Sequence, residues 1–94
     1  MKPILPLLLL ATLSTAAQAD MTVGVILSTT GPGASLGIPE RNTVALLPKE
    51  IAGQAVKYVV LDDGSDSTAA AKNARKLVSE NRVDLLIGST TVPT

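Results

Sequence analysis

The chain contains no cysteine, no histidine and only one aromatic residue, Tyr58. The missing cysteines exclude disulfides, thiol chemistry and thiolate zinc sites. Without an imidazole base, a Ser-His-Asp triad is excluded as well. One aromatic is too few to make a platform on which bases stack, and it leaves any core to be built from Ala, Val, Leu and Ile. An excess of charge is also missing: eight basic and eight acidic side chains balance over 94 residues. Nucleic-acid-binding faces show as clustered basic charge, so no nucleic-acid partner is expected. The length allows one domain at most, since domains commonly run to ~100–200 residues.

What is present begins with an address. In residues 1–19, Lys2 precedes an apolar run from Ile4 to Leu13, and the segment closes on Ala17-Gln18-Ala19. This is the pattern of a secretory signal peptide, with cleavage after Ala19 and Asp20 as the first mature residue. The run is shorter than the ~20 residues of a membrane-spanning helix, and no cysteine stands at the cleavage point to take a lipid. The expected organisation is a signal peptide over 1–19 and an exported globular segment over 20–94. A segment of that size buries only ~60% of its unfolded surface, and small exported domains are normally stapled by disulfides. With none available, residues 20–94 are expected to be part of something longer and not to fold alone.

The mature segment alternates strand and helix. Met21 to Leu27 is apolar on both alternating sets, as in a strand buried on both faces. Ser28 to Gly37 is a turn region of Gly, Ser and Thr. Pro39 and Glu40 suit a first helical turn, predicting a helix to about Leu47 with Val44, Leu47 and Ile51 on one side and Pro48 as its end. Gly53 marks a loop, and Val56 to Leu61 reads as a second strand. Asp62-Asp63-Gly64-Ser65-Asp66 is a polar turn in which Asp66 or Ser67 caps the next helix. That helix, Ser67 to Glu80, carries Ala70, Ala74, Leu77 and Val78 on one stripe, with Lys72, Asn73, Arg75, Lys76 and Ser79 opposite as a solvated face. Asn81 suits its C-terminal stop. Val83 to Ile87 reads as a third short buried strand before Gly88 and a Ser/Thr turn. The order β-α-β-α-β predicts an α/β fold with a parallel, Rossmann-like sheet and right-handed crossovers. Two helices cannot cover both faces of such a sheet, so the architecture is expected to be incomplete.

Ligands of open α/β sheets bind at the carboxyl ends of the strands. There the segments 28–37 and 88–94 hold Ser28, Thr29, Thr30, Ser35, Ser89, Thr90, Thr91 and Thr94 with several glycines. Hydroxyls and helix N-terminal amides make a neutral, donor-rich cup suited to a carboxylate. It contains no general base and no activated nucleophile. Two sharper readings compete with it. Gly31-Pro32-Gly33 and Gly37, with Asp62 or Asp63 ending the second strand, resemble a dinucleotide fingerprint and would make the chain a fragment of a Rossmann-type nucleotide-binding enzyme. The spacing is not G-x-G-x-x-G, the acid lies more than ~20 residues on, and export removes the chain from the cytosolic nicotinamide pool. Asp62, Asp63 and Asp66 suggest a cation, but a calcium loop needs a distal Glu and none occurs before Glu80. A capping turn is the simpler reading, and no metal or cofactor is expected.

The export signal, the TGPGASLG loop, the VVLDDGSD turn, the AAKNARKLVSENRVDLLIG helix–strand unit and the following Ser/Thr turn come in an order that resembles one family. The chain is similar to the opening of a branched-chain amino acid-type (leucine-binding) periplasmic substrate-binding protein of ABC transporters. The resemblance covers nearly all of the mature segment. It implies the opening portion of a type I periplasmic-binding-protein lobe, one of two lobes that close on a small ligand. It implies a periplasmic solute-binding component that is not an enzyme, delivering its ligand to an ABC transporter permease. It also implies an amino acid or small carboxylate or amide as ligand, with Ser35 and Leu36 in the first loop and Thr90, Thr91, Val92 and Thr94 in the last as contacts. Leu36 stands where relatives often carry an aromatic. Val92 stands where the family places a Ser or Thr, so a backbone amide replaces a side-chain contact there. The second lobe and the acid that takes the ligand ammonium lie beyond Thr94. Residues 20–94 are therefore expected not to bind ligand by themselves.

Overall fold

The computed structural model describes residues 20–91. The signal-peptide reading of residues 1–19, and the site positions Val92 and Thr94, lie outside the described residues. The elements follow as β1 (Met21–Leu27), α1 (Ala34–Val44), β2 (Glu50–Ile51), β3 (Gln54–Asp62), α2 (Ser67–Ser79) and β4 (Leu85–Ile87). They form one sheet in the order β2-β3-β1-β4. β1 pairs in parallel with β3 and with β4, and β2 pairs antiparallel with β3.

β1 is central because both of its alternating sets are apolar. Val23, Val25 and Leu27 cluster with Val56 of β3 on one face, joined by Val44 of α1, Tyr58 and Val60. Ile26 clusters with Ala70 and Leu77 of α2 on the other, joined by Val59, Leu61, Ala74 and Val83. Gly24 faces this second side. A methyl group there would lie 2.9 Å from Val83 and 3.0 Å from Leu77, so its missing side chain is what lets α2 settle onto the sheet. The core is aliphatic apart from Tyr58, which donates its hydroxyl to the Pro48 carbonyl at 2.7 Å.

Four local expectations are corrected. α1 starts at Ala34, not at Pro39, and Pro39 lies inside it. The start is set by packing: α1 crosses β1's exit so closely that a Cβ on Gly37 would overlap the Ser28 carbonyl. α1 also ends at Val44, before Leu47. The turn tightens through Leu46 N–H to the Thr43 carbonyl and Leu47 N–H to the Val44 carbonyl, because Pro48 disfavours helical geometry at the residue before it. Ile51 therefore sits not on a helix but in β2, a short strand of a hairpin with β3. Its two-residue turn, Ala52-Gly53, has φ of 53° and 79°, the left-handed pair that matches strand twist. Finally, β4 is an exposed edge strand rather than a buried one; it pairs with β1 on one side, and Leu85, Leu86 and Ile87 stay exposed. α2 runs Ser67–Ser79 with Asp66 as N-cap taking the Ala69 amide at 2.8 Å, and Ala70, Ala74 and Leu77 pack on the sheet as expected; Val78, expected on the same stripe, is exposed, and Asn73, expected on the solvated face, donates to the Asp62 carbonyl at 2.9 Å.

Candidate functional site

Parallel pairing brings the carboxyl ends of β1, β3 and β4 to one edge of the sheet. Three loops meet there: 28–33 after β1, 63–66 after β3 and 88–91 after β4. The first and last touch. A Cβ on Gly33 would lie 3.3 Å from Thr91 Cγ2 and 3.1 Å from the Ser65 hydroxyl. Gly33 is the N-cap of α1 and has no side chain of its own to cap the first-turn amides, while its own amide donates to the Ser65 hydroxyl at 2.9 Å. Ser35 and Leu36 occupy the first turn of α1 and are exposed, Leu36 at 57%. Thr90 and Thr91 are half-buried across from them. The structure thus gathers Ser35, Leu36, Thr90 and Thr91 along one edge of the sheet.

The interior of this edge differs from a neutral cup. Asp63 is buried beneath it, 1% exposed, beside a fully buried Ser28. Its Oδ1 accepts the Ser28 hydroxyl at 2.7 Å and the Ser65 amide at 2.8 Å. Its Oδ2 accepts the Ser89 hydroxyl at 2.8 Å. A buried carboxylate without such donors is strongly unfavourable; here they come from three loops. Asp62, next to it but exposed, clamps the first loop from outside. Its Oδ1 accepts the Thr29, Thr30 and Gly64 amides at 2.9, 3.3 and 2.9 Å, and its Oδ2 accepts the Thr30 hydroxyl at 2.6 Å. These bonds, the Thr30 hydroxyl first and the Gly64 amide next, lower the Asp62 carboxyl from 3.8 to about 2. Glu40 of α1 accepts the Thr90 hydroxyl at 2.6 Å, and Thr90 Oγ1 accepts the Ser28 amide at 2.8 Å.

The hydroxyl donors of Ser28, Thr30, Ser89 and Thr90 are therefore committed to carboxylates. They build the edge rather than offer themselves to a ligand. Sequence reasoning found these hydroxyls but missed their partners. The available signal was that β1 and β4 each exit into hydroxyl residues while the strand between their turns exits into two acids. The arrangement also bears on the dinucleotide reading, since Asp62 and Asp63, the two candidate ribose ligands, each have both oxygens engaged. Among the described residues no group of three or more acids is placed to hold a metal ion. A surface hollow of about 540 Å³ lies away from this edge, between α1 and β3 and lined by Arg41, Val44, Lys49 and Tyr58.

Comparison with known proteins follows the same geometry. A family model described as periplasmic binding protein matches residues 20–94. Two extracellular ligand-binding receptors from Rhodopseudomonas palustris are similar in structure. One is 49% identical with a TM-score of 0.79, over 82% of this chain and 21% of its own. The other, from strain HaA2, is 60% identical with a TM-score of 0.74, over 77% of this chain and 20% of its own. A leucine-binding protein from Thermotoga maritima is 29% identical with a TM-score of 0.65, over 73% of this chain and 21% of its own. No curated protein matches the chain. The chain spans about a fifth of the length of these solved relatives. The α/β order, the shared edge of strand exits and the match over 20–94 lead to one conclusion: the chain belongs to the periplasmic binding protein family.

Proposed function

We propose that this chain supplies the opening part of one lobe of a solute-binding component of an ABC importer, acting in the periplasm after cleavage behind Ala19. The ligand is an amino acid or a related small carboxylate or amide, and the role is capture and delivery rather than catalysis. The observation that carries this reading is the meeting of the β1 and β4 exits at the N-terminus of α1. α2 has its N-terminus closed by Asp66, whereas α1 begins at Gly33 with no side-chain cap. Helix N-termini favour anionic groups, so a ligand carboxylate belongs at the α1 end, against the backbone of Thr90 and Thr91. Ser35 offers a hydroxyl beside it, and Leu36 gives the apolar contact for the ligand's body; the roles of Val92 and Thr94 rest on the family resemblance alone. The leucine-binding relative is in keeping with this class of solute.

A small-molecule site gains its affinity by enclosing most of the ligand, and this edge is open on its outer side. Capture then requires the second lobe of a longer polypeptide, closing about a hinge, before transfer to the permease. Calorimetric titration with L-leucine, other amino acids and small carboxylates tests the reading. The full-length polypeptide is expected to bind one of these saturably, and residues 20–94 alone to bind none. Submillimolar binding by the isolated segment, or no binding by the full-length form, contradicts it.

A further inference from the structure

We propose that Asp63 is the positioning residue of the solute site: it sets the β4 exit against the N-terminus of α1 without touching the ligand. The inference rests on the function proposed above for its link to affinity, but its structural content stands by itself. β3 and β4 are not neighbours; β1 lies between them. The β1–β4 ladder ends at the pair Val25 and Ile87, and beyond it side-chain bonds tie the β4 exit to the rest of the edge. The Thr90 hydroxyl accepts the Ser28 amide at 2.8 Å, a bond to β1 alone, and its bond to Glu40 is exposed and competes with water. The Ser89 hydroxyl, by contrast, donates to a carboxylate buried with Ser28, where a charge-assisted bond is stronger and its geometry better fixed. Through its other oxygen the same carboxylate holds the Ser28 hydroxyl and the Ser65 amide. One side chain of β3's turn thus ties the exits on both sides of β1 into a single frame.

Hydrogen exchange of the full-length polypeptide, comparing wild type with Ser89→Ala and Asp63→Ala, tests this. Ser89→Ala removes one arm and keeps the buried acid, so it decides the matter even where Asp63→Ala fails to fold. The expected result is exchange about tenfold faster at residues 88–91, with β1 and β3 unchanged, in Ser89→Ala. Asp63→Ala adds the same acceleration at 28–30. A general loss of stability would instead speed exchange throughout the sheet. Exchange at 88–91 within about twofold of wild type in Ser89→Ala overturns the proposal. L-leucine titration of the same proteins separates the two readings. If wild type binds, Ser89→Ala weakens binding about tenfold. If wild type binds no solute, the functional reading fails, and exchange alone decides the role of Asp63.

Discussion

At the scale of single residues, the edge of the sheet is organised by carboxylates and by the absence of side chains. Asp62 acts from outside. Its folded value of about 2 lies below 3.8, so it adds stability that is fully present above pH 3.8 and fades as the pH falls toward the folded value. Acid unfolding should show this component in wild type and lack it in Asp62→Asn, as followed by circular dichroism; identical acid limbs would contradict the assignment. Gly37 acts by being absent. Any Cβ there meets the Ser28 carbonyl, a backbone atom that cannot swing away. Gly37→Ala should cost about 3 kcal/mol in urea unfolding, at the upper end for overpacking. The hydroxyls were legible in the sequence as a group of Ser and Thr after each strand. Their direction was not, because each partner is 26 to 50 positions away and becomes visible only once the strands are ordered.

At the scale of elements, legibility follows how much of the signal is local. β1 and β3 announce themselves by runs rich in Val, Ile and Leu, and α2 by its apolar stripe and the Asp66 cap. α1 and β2 depend on tertiary facts. α1 begins early because Gly33 and Gly37 allow it to lie on the β1 exit. β2 forms because Ala52 accepts a left-handed conformation that the sequence gives no reason to expect. That last point yields a prediction. Asn tolerates the left-handed region better than Ala, so Ala52→Asn should stabilise the hairpin by roughly 0.5–1 kcal/mol, seen as a raised urea midpoint. In α2, Leu77 is fully buried against Gly24, and Leu77→Ala should cost roughly 2–5 kcal/mol. A loss below about 1 kcal/mol would mean that α2 does not hold the second face as described.

At the scale of the whole molecule, the described residues leave apolar surface open. Leu85, Leu86 and Ile87 are exposed along the edge strand, and Leu46 is exposed just beyond α1. An uncovered apolar edge invites pairing between copies. Residues 20–94 in isolation should therefore sediment as a mixture of oligomers and bind a hydrophobic dye; a monodisperse monomer would contradict this. The family relationship gives the open surface its meaning, since the solved relatives are about five times as long as the segment they share with this chain. In the function proposed above the site, too, is one wall of a larger cleft, made of a frame of carboxylate bonds, the N-terminus of α1 and the exposed Leu36.

The most direct measurement is a crystal structure of the full-length polypeptide with its solute bound. The account predicts an anionic or polar group of the solute hydrogen-bonded to backbone amides after β4, and its apolar part within ~4 Å of Leu36. A solute bound with no atom near either Leu36 or Thr91 would contradict it.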